Sequence, residues 1–75
     1  MELEIVIIDN KEYYIMKEIT DKDTIYFFLI NKNEENDIMI RKAKTNNPNI
    51  IIPLDNEEEL KKASLLLINK ELKEN

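Results

Sequence analysis

None of the 75 residues is glycine, and this absence constrains the fold more than any motif the chain contains. Glycine enters left-handed backbone conformations without strain, so a chain that lacks it must build tight turns from Asn, Asp and Lys. Cysteine, histidine and tryptophan are missing as well. Soft-metal sites, imidazole acid–base chemistry, thiol nucleophiles and phosphate-cradling loops draw on these residue types. The expectation is a non-enzymatic protein with no catalytic residues, no metal site and no cofactor.

A single domain over 1–75 lies near the size at which one hydrophobic core barely suffices, where disulfides or metals often assist. Without Cys or His, stability must come from apolar strands or self-association, and the 43% hydrophobic content favours the strands. Sixteen acidic against 11 basic residues leave a net charge of −5, a field that repels nucleic acid and anionic membranes. The opening Met1-Glu2-Leu3-Glu4 has no basic leader, and no apolar run approaches the roughly 18 residues of a membrane span. A cytoplasmic location is therefore expected. Ile, Asn and Lys occupy 13, 10 and 10 positions, and Lys outnumbers Arg ten to one. That bias points to an AT-rich coding sequence, bacterial or phage.

Hydrophobic alternation predicts an α+β fold, an antiparallel four- to five-stranded meander packed by one C-terminal helix. Strands are predicted over about 2–8, 12–19, 24–31, 37–43 and 49–53, and the helix over about 56–73. Leu3, Ile5 and Ile7 alternate with Glu2, Glu4 and Val6, the period of a half-buried strand. Asp9-Asn10-Lys11 then reads as a hairpin turn in which Asn stands in for Gly at positive φ. Asp21-Lys22-Asp23 closes the second strand, which is rich in aromatic and branched residues. Ile25-Tyr26-Phe27-Phe28-Leu29-Ile30 is apolar on both alternating sets, the mark of a central strand covered on both faces. After the polar loop 31–37 and a fourth strand, Thr45-Asn46-Asn47-Pro48 turns the chain into Ile50-Ile51-Ile52, which Pro53 stops. Asp55 and Glu58 have the spacing of a capping box, with acidic side chains where the helix dipole favours them. At about 100° per residue, Leu60, Ala63, Ser64 and Leu67 form the face predicted to meet the sheet, with Ile68 at its margin. Leu66 projects among Glu59 and Lys62, and Leu65 also lies off that face.

Individual candidate sites are weak. Glu57, Glu58 and Glu59 diverge by about 100° per step on a helix and cannot converge on one atom, so a solvated role is expected for them. Asn31-Lys32-Asn33-Glu34-Glu35-Asn36-Asp37 has oxygen donors in a calcium-loop rhythm, but the central Gly is absent and Lys42 stands where a bidentate Glu belongs. Ser64, the sole serine, has no histidine to activate it and fits a helix–sheet contact. Arg41, Lys42 and Lys44 near Tyr26 and Phe28 have the chemistry of a single-strand nucleic-acid site. Strand-end lysines also serve as edge guards, and direct nucleic-acid binding is not expected of an acidic chain.

Surplus hydrophobicity is the stronger signal. One helix covers one sheet face, yet Val6, Ile8, Tyr14 and Met16, with either Tyr26, Phe28 and Ile30 or Ile25, Phe27 and Leu29, offer a second. Either the sheet curls over its own residues, as small barrels do, or a partner covers that face.

Between Val6 and Ile68 the chain presents, in order, Ile7-Ile8-Asp9-Asn10, Ile25-Tyr26-Phe27-Phe28-Leu29, Asn33-Glu34-Glu35-Asn36-Asp37, Ile38-Met39-Ile40-Arg41 and Leu54-Asp55-Asn56-Glu57-Glu58-Glu59-Leu60. This succession resembles the small acidic bacterial family typified by YrzB, from which it departs by placing Asn10 or Lys11 at the turn glycine and by being less acidic. The resemblance implies the α+β fold and brings no catalytic residue with it.

The expected function is protein–protein contact, with a partner or with a second copy in a homodimer, and with no membrane or small-molecule substrate. Its expected surface is Tyr14, Met16 and Phe28 on the sheet, Leu65 and Leu66 on the helix, and the acidic group Glu34, Glu35, Asp37, Glu57 and Glu58. The alternative is a phage- or mobile-element-encoded inhibitor, similar in size and charge to anti-CRISPR proteins, whose acidic surface blocks a nucleic-acid-binding protein. Mimicry of that kind requires carboxylates in rows on one face.

Overall fold

The computed structural model describes residues 3–73, with side chains described through Asn69. Five antiparallel strands, β1 (Ile5–Ile8), β2 (Lys11–Asp21), β3 (Thr24–Asn31), β4 (Ile38–Lys44) and β5 (Asn47–Ile52), pair in sequence order and are followed by α1 (Glu57–Lys73). The α+β meander packed by a C-terminal helix is thus the observed architecture. No helix among the described residues is long and apolar enough to cross a membrane.

Turn chemistry follows from the missing glycine. Asp9 and Asn10 adopt φ values of 53° and 66°, the consecutive left-handed residues of a two-residue hairpin loop. Between β2 and β3, Lys22 takes φ 58°. A lysine Cβ crowds the following carbonyl in that conformation, which costs about 1 kcal/mol.

The sheet has two faces with different fates. On the inner face Tyr13, Phe27, Leu29 and Ala43 are buried, and Val6, Ile8, Ile15, Ile25, Met39 and Ile51 pack against them. All five strands contribute, so the sheet curls and covers its own residues. Leu29 is 0% exposed, a burial that stabilises by about 1.5–3 kcal/mol. A cleft of about 270 Å³ remains between the two edge strands, bordered by Glu4 and Val6 on one side and Pro48, Asn49 and Ile51 on the other.

The curl begins in β2. Ile15 opposes Leu29 but Lys17 opposes Phe28, which leaves Met16 as the extra residue of a bulge. Bulges bend a strand and increase its twist. They also exchange the two alternating sets: Tyr13 and Ile15 face inward before the bulge, whereas Glu18 opposite Phe27 shares the inner side after it. The sequence grouping of Val6 and Ile8 with Tyr14 and Met16 is corrected by this register. Val6 pairs with Tyr13 and belongs inside, while Ile5 pairs with Tyr14 on the outer face. Leu3, Ile5 and Ile7 are accordingly the exposed set of the first strand.

Because Lys22 holds a strained conformation that glycine adopts freely, Lys22→Gly is expected to raise stability by about 0.5–1 kcal/mol. Urea unfolding reads this directly, and an unchanged or lowered midpoint would show that the strain relieved does not exceed the entropy that glycine adds to the unfolded chain.

Candidate functional site

Helix α1 is fastened to the outer face by a buried charge. The β3–β4 register places Lys42 beside Tyr26, and the Lys42 side chain is 7% exposed. Its Nζ donates to Glu59 Oε1 and Oε2 at 2.9 and 3.0 Å and lies 3.1 Å from Asp55 Oδ2. Tyr26 Oη donates to Glu59 Oε2 at 3.1 Å. The helix start completes the arrangement: Asn56 Oδ1 accepts from the Glu59 N–H at 2.9 Å, and Glu59 Oε1 accepts from the Asp55 N–H at 2.6 Å. The capping pair is therefore Asn56 and Glu59, one residue beyond Asp55 and Glu58. Glu59, expected to be solvated, is the counterion of a buried lysine.

Electrostatics agree with this geometry. Burial alone would raise the Glu59 carboxyl, but the Asp55 N–H, Lys42 and Tyr26 outweigh it and hold the group below the usual glutamate value. Burial likewise works against the Lys42 ammonium, yet Glu59 and Asp55 keep its pKa above that of an ordinary lysine. Burial, then the Glu59 carboxylate, push the Tyr26 phenol up.

Fastening at Glu59 decides which helix face meets the sheet. Ala63 and Leu67 are buried as expected, but Glu59 and Leu66 are the half-buried flank. Leu60 and Ile68, expected toward the sheet, are 44% and 54% exposed. Leu60 instead lines a shallow groove of about 370 Å³ with Ile38, Ile40, Pro53, Leu54 and Glu57. The outer face continues beyond this groove. Register aligns Ile5, Tyr14, Ile30 and Ile38 in one row across four strands, with Phe28 opposite Ile40 in the next. Ile38 is 53% exposed at the end of that row. Its exposed ridge and the neighbouring groove present apolar surface to whatever approaches from outside.

The residues singled out in the sequence divide between several places. Tyr14 and Phe28 lie half-buried on the outer face, and Met16 is the exposed bulge residue. Leu65 is exposed, whereas Leu66 is half-buried rather than directed fully outward. Asp37 is a structural anchor: its Oδ2 accepts from Tyr13 Oη at 2.7 Å and Asn31 Nδ2 at 3.1 Å. The Tyr13 bond, then the Asn31 bond, lower the Asp37 carboxyl, and the same contact raises the Tyr13 phenol. Glu34 and Glu35 are exposed on the loop before β4, and Glu57 and Glu58 on the first turn of α1. Glu57 lines the same groove as Ile38, the residue that follows the loop. The basic trio is dispersed: Lys42 is engaged by Glu59, and Arg41 pairs in register with Phe27 on the opposite face. Ser64 Oγ donates to the Leu60 carbonyl at 2.8 Å within its own helix. Ile38, Ile40, Leu54 and Leu60 form the groove that sequence reasoning missed. Ile38 and Ile40 carried a signal, since they precede Lys42 on one alternating set.

No protein-family model matches the chain, and neither curated proteins nor solved structures give a match to it.

Two outcomes test the fastening. Removing one partner of a buried pair leaves the other charge uncompensated, so Lys42→Met is expected to cost about 3 kcal/mol. Asp55→Asn, at a 74% exposed carboxylate, should cost less than about 1 kcal/mol. Equal urea-midpoint changes in the two variants would contradict the assignment of Glu59 as the main counterion. The pH profile gives a separate check. Glu59 and Asp37 have lowered pKa values, so their stabilisation is present above the unfolded carboxylate range and is lost as pH falls below about 4. Lys42, Tyr13 and Tyr26 have raised values, so theirs is present below about pH 10 and is lost as pH rises further. The stability gap between wild type and Glu59→Gln should be widest near pH 7 and close as Glu59 protonates. A gap constant down to pH 2.5 would refute the ion pair.

Proposed function

We propose that this protein is a non-enzymatic contact module, whose outer face takes a protein segment with an apolar anchor flanked by basic residues. The observation that carries the reading is the row Ile5, Tyr14, Ile30 and Ile38 running into the groove beside Leu60. Apolar surface left in water gains about 25 cal/mol for each Å² that a partner buries. A groove bordered by several half-exposed aliphatic side chains therefore favours an apolar occupant over a polar substrate. Charge sets the flanks of that occupant. Glu57 and Arg41 both border the groove and offset each other there, so the preference comes from the chain's overall charge of −5, which steers basic partners inward and turns acidic ones away. The expected setting is the cytoplasm of a bacterial or phage-infected cell. Phosphate mimicry gains less support, because Asp37 of the acidic group is engaged by Tyr13 and Asn31 and Arg41 borders the groove beside Glu57.

A titration of the ¹⁵N-labelled protein with two synthetic amphipathic peptides of equal length, one leucine–lysine and one leucine–glutamate, tests the reading. The leucine–lysine peptide should shift the amides of Ile38, Ile40, Leu54 and Leu60 and bind more weakly as salt rises. Ile38→Asp with Leu60→Asp should weaken it at least about tenfold while leaving the circular dichroism spectrum unchanged. Equal binding of both peptides, or shifts centred away from the groove, would overturn the proposal.

A further inference from the structure

The two edges of the sheet are protected unequally. β5 carries Pro48 between Asn47 and Asn49, and proline removes a donor that an incoming strand would need. β1 reads Ile-Val-Ile-Ile. It contains neither proline nor lysine, and among the described residues it is hydrogen-bonded to β2 alone.

Backbone direction along β1 can be read from its pairing. Glu4 O accepts from the Ile15 N–H at 2.9 Å, and residues of an antiparallel strand alternate between bonding the neighbour and facing away. Glu4, Val6 and Ile8 therefore turn their amides and carbonyls toward β2. Ile5 and Ile7 turn theirs to the outer edge. Their side chains are exposed as well, Ile7 at 72%, the largest exposure of any large hydrophobic residue described.

From this edge we infer that β1 pairs antiparallel with β1 of a second copy about a two-fold axis at Val6, joining two sheets edge to edge. The strand is self-complementary in that register. Ile5 of one copy exchanges both backbone hydrogen bonds with Ile7 of the other, and symmetry repeats the exchange. Four isoleucine side chains then meet on the outer face, where apolar cross-strand pairs stabilise a sheet. The two Glu4 carboxylates fall at opposite ends of the paired strands, about 14 Å apart, beyond a screening length of about 8–10 Å. Net charge opposes association only weakly at physiological salt. An edge of four residues buries little area, so the dimer belongs to the weak class, with a dissociation constant on the order of 100 µM. The dimer shares Ile5 with the outer-face row, whereas the groove at Ile38 and Leu60 lies at the other end of that row and takes no part in it.

Sedimentation equilibrium from about 10 µM to about 1 mM, combined with amide hydrogen exchange, tests the inference. Wild type should dimerise across that range, and the Ile5 and Ile7 amides should gain protection as concentration rises. Ile7→Lys, a guard at a solvent-exposed position, should weaken dimerisation at least about tenfold. Ile38→Asp should leave it intact. Ile5→Lys serves as the second edge variant, with the melting temperature of each variant showing that it is folded. A wild-type monomer at 1 mM, a dimer insensitive to both edge lysines, or a dimer lost with Ile38→Asp would each overturn it.

Discussion

A lysine ammonium buried in a small sheet has to be neutralised, and the partner that neutralises it determines where everything after the sheet must go. Lys42 points from β4 into the space beneath α1, and Glu59 meets it from the third residue of that helix. Once Glu59 is held there, Asn56 and Asp55 are placed by their bonds to it, and the helix axis has little freedom left. Such a pair adds little net stability relative to apolar residues of similar size, because desolvation offsets attraction. Its effect is positional. By taking a place on the sheet-facing side, Glu59 rotates Leu60 and Ile68 away from the sheet and leaves Ala63 and Leu67 as the buried contacts. The groove beside β4 is a consequence of that rotation.

Curling of the sheet is the second constraint. With Met16 inserted as a bulge, β2 changes the face it offers halfway along, and the inner surface closes over Leu29, Phe27 and Tyr13. The apolar surplus is thereby split. The inner half satisfies itself, while the helix covers the outer half around Tyr26 and Lys42 and against β2, where Lys62 meets Asp21. What stays in water is a strip from Ile5 to Ile38 and the edge of β1.

Strand and helix content was legible because alternation and turn residues are local signals. The doubly apolar Ile25 to Ile30 segment identified the central strand, and Asp9-Asn10 identified the hairpin in the absence of glycine. The bulge at Met16 was hidden, since both alternating sets around it are partly apolar and a slip of one residue changes no composition. Lys42 and Glu59 lie 17 residues apart, and no local pattern links a strand lysine to one particular glutamate among three. Misplacing that pair shifted the capping box by one residue and turned the predicted helix face toward Leu60. Asp37 was misread for the same reason, because its partners Tyr13 and Asn31 come from other strands. Tyr14 and Phe28 were expected on the sheet face opposite the helix, but the register puts them, half-buried, on the face that carries α1, and Ile38, Ile40, Leu54 and Leu60 became a site only through tertiary packing.

Protein contact is the reading we propose from these two constraints, since an outer strip of aliphatic side chains running into a groove has apolar surface to offer a partner. Its central requirement is that the helix covers only part of the outer face. Solvent paramagnetic relaxation with a neutral gadolinium chelate, on dilute protein with labelled methyl groups, measures this directly. Strong broadening of the Ile38, Leu60 and Ile5 methyls is expected, with the Ala63, Leu67 and Leu29 methyls protected. Protection of Ile38 and Leu60 to the level of Leu29 would mean that the face is closed, and would contradict the account.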